Sequence, residues 1–477
     1  LVLFNDRLGF QRLYVHEGED AFLFSSEAKS ILAVRPELRA FDERSLGEYF
    51  VCGCALEDRT LFKNIHALPS GSAYHFDRGR LRKKARYFLP SRWEDQPLLD
   101  GDEAFRQLTE ILPSVINRYV SSDRRTGISL TGGWDTRLIM AHIRAERSEV
   151  PCYTFGGMYR ESYDVKLARK VAALRGHSHR VIFLPRDLFD DYARLAEEAV
   201  RISDGSLGAE GAYEVYFNRW ARQIAPVRVT GNYGSELLRN HAVFSWSNPL
   251  EGLVHPDYTA YVRMAGETFQ ALNGCHDLTF RLFRQAPWFG YGRTAVEQSQ
   301  VIVRNPFLDY DLLELMYRVP RPLRTGSDLE ISLIHDADPE LLIVPTDRAE
   351  RHRYLKRTPL WSRAWKEFIL KADNCYKSYM PQWLEQVHHW LGPFQPEKHI
   401  IGRNRFSYPR IWYRRELASY VRDVVLDPRT LCRGYLNGAF VENMVIRHQK
   451  GDRNYANQIE QVLTLELIQK LFFGPGR

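Results

Sequence analysis

The chain has 477 residues, 44% hydrophobic and 26% charged, with a formal net charge of +7. That length exceeds one ordinary core and predicts two or three domains, while the composition is that of a globular protein. No apolar run reaches the roughly 18 residues of a membrane-spanning helix, no secretory signal pattern is present, and a charge this small for the length does not favour nucleic acid.

In chain order, Leu1-Val2-Leu3-Phe4 reads as an interior strand without an initiator methionine, so the chain is expected to begin partway into a domain. The first ninety residues read as short strands and turns, for example FLFSS and LPSGSAYHF. Residues 91–102, flanked or interrupted by Pro90 and Pro97, read as a linker. Residues 103–119 carry helical periodicity. GISLT, PCYTF, HRVIF and PVRVT then form four β-branched runs separated by helical segments, the pattern of a doubly wound, mostly parallel α/β sheet. From about residue 270 the chain reads as helical, and the amphipathic run 459–473 is expected to be core. Basic clusters at 80–86 and 348–357 read as solvated surface or a polyphosphate pocket. Cys52, Cys54, Cys152, Cys275, Cys375 and Cys432 form no C-x-x-C pair and read as thiols in a reducing cytoplasm, the expected location. His177 and His179 share one face of a strand start but have no third ligand in view; His388 and His389 point to different sides of a helix.

The stretch Gly127 to His142 is the most informative. A strand ends on Thr131-Gly132-Gly133, and Asp135 opens the next helix. Ligands of open α/β sheets bind beyond the carboxyl ends of strands. Glycines are expected here to adopt positive φ and curl successive N–H groups into a phosphate nest, with Thr131 and Thr136 adding hydroxyls. Asp135 repels phosphate unless a divalent cation lies between them, so the turn calls for a nucleotide and magnesium. The alternative is a tight turn whose acid merely favours the helix dipole. The turn matches neither the Walker loop nor the G-x-G-x-x-G fingerprint.

The run Ser129-Leu130-Thr131-Gly132-Gly133-Trp134-Asp135-Thr136 resembles the S-G-G-x-D-S pyrophosphate loop of the ATP pyrophosphatases. Tyr153-Thr154-Phe155-Gly156-Gly157 with Ser162-Tyr163-Asp164 is similar to the adenine and ribose segment of the asparagine synthetase group. Thr230-Gly231-Asn232-Tyr233-Gly234-Ser235-Glu236-Leu237 resembles that group's S-G-E-G-x-D-E-L loop, and Arg304-Asn305-Pro306-Phe307-Leu308-Asp309 its R-x-P-F-L-D segment. Upstream, the stretches beginning at Asn5, Ser26 (S-E-x-K) and Leu68 (L-P-x-G) are similar to class II glutamine amidotransferases. That family's nucleophilic N-terminal cysteine has no counterpart here, so no glutaminase residue is assigned.

The resemblance implies residues 1–95 as a partial amidotransferase-like, antiparallel β-rich domain and 96–477 as a Rossmann-like ATP-pyrophosphatase domain with a helical C-terminal part. It implies a ligase using ATP and Mg2+ that adenylates a small-molecule carboxylate, releases pyrophosphate and transfers glutamine-derived ammonia or another amine. ATP is expected on Leu130, Thr131, Gly132, Gly133, Asp135, Thr136, Phe155, Gly156, Thr230 and Gly231. The second loop has two registers. The ungapped one puts Asn232 and Ser235 at the family's acids; a one-residue insertion puts Tyr233 and Glu236 where β-lactam-forming relatives carry tyrosine and aspartate. The second is favoured because it keeps an acid: Asp135 and Glu236 become the metal ligands, and Tyr233 assists deprotonation of the amine. Lys356 is the candidate for the family's catalytic lysine, with a surface role as the alternative and Arg348 or Arg353 as phosphate clamps. No membrane and no nucleic acid are expected as partners, and a homodimer is left open. A tRNA-modifying enzyme and a catalytically silent nucleotide-binding homologue are the competing functions.

Overall fold

The computed structural model describes residues 1–121, 124–144, 150–346, 352–355, 359–390 and 397–474, apart from the side chains of residues 378, 379 and 389. Two antiparallel sheets occupy the N-terminal part. Strands β1 (Val2–Phe4), β5 (Ser72–Asp77) and β6 (Arg80–Arg86) form one, and β2 (Tyr14–Glu17), flanked by β3 (Phe22–Ser25) and β4 (His66–Ala67), forms the other. Leu3, Val15 and Leu68 make a small apolar cluster in this part. The rest of its apolar side chains do not close a core of their own. Tyr14, Ala28 and Ile31 join the cluster that holds Tyr192, Leu195 and Tyr213, and the Ala28 N–H donates to Asp204 at 2.8 Å.

The stretch read as a linker is not one. Ser91–Glu94 is a helical turn that buries Trp93 to 1% exposure, its ring 4.6 Å from Phe88 and 5.4 Å from Tyr317. Polar neighbours and two prolines hid an aromatic anchor that ties the N-terminal part to the helices downstream of it. The next helix, Gly101–Val120, starts where Asp100 accepts from the Glu103 N–H at 2.9 Å, and buries Ala104, Leu108, Leu112 and Val115 along one stripe.

The larger sheet has five parallel strands in the order β11-β10-β7-β8-β9: Ile302–Arg304, Val227–Val229, Thr126–Ser129, Cys152–Gly156 and His179–Phe183. Four correspond to the sequence pattern. The fifth, β11, has three residues, none fully buried, so no periodicity announces it. The chain steps outward from β7 to β9, then returns to pair β10 on the other side of β7. The order therefore reverses between β7 and β10, and the crevice beyond their carboxyl ends is where such sheets bind ligands. The C-terminal helix Ala456–Ile468 is buried around most of its circumference, as a core helix is. No helix among the described residues is long and apolar enough to cross a membrane.

Candidate active site at the sheet reversal

The bend after β7 lies at this crevice. Helix Trp134–His142 begins at Gly133 with no side-chain cap, leaving its N-terminal face to backbone donors and to Asp135 in the first turn. The glycines are needed for a different reason from the one expected. Neither Gly132 nor Gly133 has positive φ; Gly133 sits at −75°. Gly132 is required by close approach, since a Cβ there would lie 2.8 Å from Leu167 Cβ. At Gly133 the nearest such contact is 3.4 Å, so this glycine keeps space open in front of the helix rather than relieving strain.

The bend's own polar groups hold its shape. The Thr131 N–H donates to Thr136 Oγ1 at 3.1 Å, the Gly133 N–H to Thr131 Oγ1 at 3.3 Å, and the two threonine hydroxyls lie 2.9 Å apart. The Gly132 N–H donates to Asp164 Oδ1 at 2.6 Å, so a carboxylate already stands at this donor, where a phosphate oxygen would bind. Beneath the bend Arg137 has no exposed surface. Its guanidinium donates to the carbonyls of Gly132 at 2.9 Å and of Leu341 and Pro345 at 3.2 Å, and its cation lies 4.6 Å from the Trp134 ring centre. A fixed positive charge under the nest favours an anion above it. Sequence reasoning missed Arg137; its place two residues after Asp135, on the helix's inner side, was the available signal.

The loop after β10 closes over this bend. A Cβ on Gly231 would meet the Thr136 backbone nitrogen at 3.0 Å, and one on Gly234 would meet Asp135 Oδ1 at 2.6 Å. The R-N-P-F-L-D segment holds the loop: the Arg304 carbonyl accepts from the Thr230 N–H at 3.1 Å, and Asn305 donates to the Asn232 carbonyl at 2.8 Å. Tyr233 takes the strained left-handed conformation, φ 65°, as few non-glycine residues do. Its ring meets Phe10 edge-on at 5.4 Å and its hydroxyl abuts Gly290. Burial, then the nearby Glu236 and Glu297 charges, push the phenol further above its ordinary range. A hydroxyl so placed is a poor proton acceptor, against the role expected of Tyr233.

A cavity of about 630 Å3 opens here, with Asp135, Glu236, Gln285 and Arg293 among its lining and Glu460 in its wall. Burial, with the Asp135 charge adding to it, holds the Glu236 carboxyl above its ordinary range; Ser235 Oγ donates to it at 2.8 Å and Gln285 at 3.2 Å. Glu460 is pushed up to about 8 by burial and by the Glu210 charge. Asn232, Tyr233 and Thr294 also border a second cavity of about 480 Å3, whose lining includes Asp6, Leu8 and Phe10 of the N-terminal part.

The expected ATP residues Leu130, Thr131, Gly132, Gly133, Asp135, Thr136, Phe155, Gly156, Thr230 and Gly231 thus fall at the ends of three adjacent strands. Phe155 stacks on Phe217 at 4.4 Å, and Gly156 packs against Phe183. His179 Nε2 lies 2.8 Å from Thr154 Oγ1, and burial lowers its pKa to about 4. His177 Nδ1 lies 3.1 Å from the Val150 carbonyl. All six cysteines are free thiols. Arg353 lies over the Tyr354 ring; Lys356 and Arg348 fall outside the described residues.

A divalent ion on Asp135 and Glu236 does not fit this donor set. Arg239 Nη2 lies 3.0 and 2.8 Å from the two Asp135 oxygens, so a cation already sits on that carboxylate. Glu236 is held by Ser235 and Gln285 with its carboxyl biased toward the neutral form. No cluster of three metal-type side chains occurs among the described residues.

A family profile described as a glutamine amidotransferase domain matches residues 1–88, and one described as asparagine synthase matches residues 107–238, which contain both loops. In these two segments the chain is similar to the asparagine synthetase family. Asparagine synthetase [glutamine-hydrolyzing] 2 of Bacillus subtilis strain 168 is 24% identical over 374 residues, covering 68% of the chain and 49% of the relative. Asparagine synthetase [glutamine-hydrolyzing] 1 of the same strain is 20% identical over 486 residues, covering 96% and 73%. A Methanocaldococcus jannaschii member is 25% identical over 243 residues, covering 49% of the chain and 45% of the relative. The chain thus spans about half the length of the first two curated relatives it matches. None of these likenesses singles out the β-lactam-forming branch.

Proposed function

We propose that the protein is an ATP-dependent carbon–nitrogen ligase that activates a substrate carboxylate as an acyl adenylate. The carboxylate oxygen attacks the α-phosphorus of ATP and pyrophosphate leaves. An amine then attacks the acyl carbon, AMP departs, and the amine gives up a proton. The observation that carries this reading is the bend 131–136 at the sheet reversal, with an uncapped helix start above a buried arginine and an acid-lined cavity beside it.

In this scheme the Gly132 and Gly133 amides and the Arg137 charge hold the leaving diphosphate. Preorganised donors of this kind supply the largest catalytic contribution in many enzymes. Asp164 must leave the Gly132 N–H, and Thr131 Oγ1 the Gly133 N–H, for phosphate oxygens to enter. Phe155 and Gly156 flank the nucleoside end, Thr230 and Gly231 close the phosphate end, and Lys356 is the candidate to stabilise charge late in the reaction. Residues 1–95 are the amidotransferase-like part and 96–477 the synthetase part. The amine comes as ammonia from glutamine or directly, and the second cavity lies between the two parts with Tyr233 as partition. A catalytically silent homologue is the second reading, favoured by Asp164 filling the Gly132 donor. ATP–pyrophosphate exchange, scored over a panel of carboxylates with the full-length protein, separates them: exchange dependent on one carboxylate supports the ligase, and none with any carboxylate supports the silent reading.

A further inference from the structure

We propose that helices Leu360–Asn374 and Gln382–Trp390 form a membrane-surface anchor that docks the chain reversibly on an anionic lipid bilayer through exposed tryptophans. Trp361, Trp365 and Phe368 recur at the spacing of one helix side, and Trp383, Val387 and Trp390 repeat that spacing on the second helix. The four tryptophans are 54–78% exposed, whereas this residue type is highly buried on average. Trp365 and Phe368 stack with ring centres 5.7 Å apart, so neighbouring rings of the first stripe form one apolar surface. Exposed apolar surface of this kind marks a site of interaction.

The stripes face outward because each helix is held to the body by a buried carboxylate. Asp373 accepts from the Asn404 and Arg405 N–H groups at 2.6 and 2.9 Å, and Glu385 accepts from the Arg410 guanidinium at 2.7 and 2.8 Å. Rotating either helix to hide its tryptophans would break these bonds. Tyr376, in the joint between the helices, meets His388 edge-on at 5.3 Å and ties the pair together. The surrounding charge decides what covers the stripes. Of the three acids in residues 359–390, Asp373 and Glu385 are buried, and the exposed Glu367 lies 2.8 Å from Lys371. Arg363 and Lys366 add two further positive charges on the first helix. Indole rings favour the headgroup level of a bilayer, and lysine and arginine reach from there to anionic headgroups. A helix that combines the two lies in the plane of the interface. At roughly 22 and 14 Å, these helices are too short to cross a hydrocarbon core of about 30 Å. The inference stands apart from the ligase reading, since neither stripe borders the cavity at the sheet reversal.

The test is flotation of the intact chain, without nucleotide, on vesicles of phosphatidylcholine alone and of phosphatidylcholine with about one-quarter phosphatidylserine. The wild type should float with the mixed vesicles and bind pure phosphatidylcholine at least about tenfold more weakly. Trp361→Ala with Trp365→Ala should weaken binding to the mixed vesicles by about tenfold or more, and so should Trp383→Ala with Trp390→Ala. Melting temperatures should stay at the wild-type value, because these side chains are exposed. Lys366→Glu with Lys371→Glu should abolish the preference for anionic vesicles. Folded wild type that stays off both kinds of vesicle, or tryptophan variants that bind as the wild type does, overturns the anchor. So does a dimer, seen by light scattering without vesicles, that both tryptophan pairs abolish: the stripes would then be a contact between copies.

Discussion

The two loops that meet at the sheet reversal differ in kind. The bend 131–136 is open at Gly133, where a Cβ would find its nearest neighbour at 3.4 Å, and its Gly132 and Gly133 amides donate to Asp164 and Thr131. The loop 230–237 is pressed shut: Gly231 and Gly234 touch the first loop, and Tyr233 is forced to φ 65° and turned toward Phe10. In the proposed reading the first loop receives the ligand and the second braces the first. Glycine serves both, as empty space in one and as a packing surface in the other.

Substitutions in the bracing loop should do the most damage. Gly234→Val is expected to cost about 2–3 kcal/mol of stability through overpacking against Asp135 and to abolish ATP–pyrophosphate exchange, read by thermal melts and isotope exchange. Gly133→Ala should change stability by less than about 0.5 kcal/mol while lowering exchange, since its Cβ intrudes only on the ligand's space. Equal destabilisation by both would erase the distinction between the loops.

Asp164→Asn takes the internal anion off the Gly132 amide and should tighten pyrophosphate binding by about threefold to tenfold in calorimetry. Weaker binding would mean that Asp164 supports the nest instead of competing for it.

The cavity's wall gives a pH signature. Glu460 is raised from 4.5 to about 8 in the folded chain, so its contribution to stability is fully present below pH 4.5 and lost as pH rises through 8. The melting temperature should therefore fall between about pH 4.5 and 8 more steeply in the wild type than in Glu460→Gln, with no further difference in slope above that. Parallel curves would remove Glu460 from the account.

The smallest effect is expected from Tyr233→Phe: the ring and its packing stay, the buried hydroxyl goes, and exchange should hold within about threefold. A loss near 100-fold would restore Tyr233 as a participant in proton transfer.

How far the sequence could be read follows the same division. The first loop was legible because strand, turn and helix are contiguous, so Leu130 to Thr136 fall just beyond the carboxyl end of β7. The second loop was not. Its shape depends on Asn305 and on β11, which lies far downstream in the chain and is too short to show a period. Arg239 lay just past the motif, and only the folded chain brings it to Asp135 and Glu330. The linker reading failed on one residue, Trp93, because local polarity says nothing about an aromatic that packs at long range.

The central claim is that the leaving diphosphate occupies the bend after β7. A crystal structure with a non-hydrolysable ATP analogue tests it directly. The account predicts β- and γ-phosphate oxygens on the Gly132 and Gly133 amides, with Asp164 displaced from Gly132. Nucleotide bound elsewhere, with Asp164 still holding the Gly132 N–H, would contradict it.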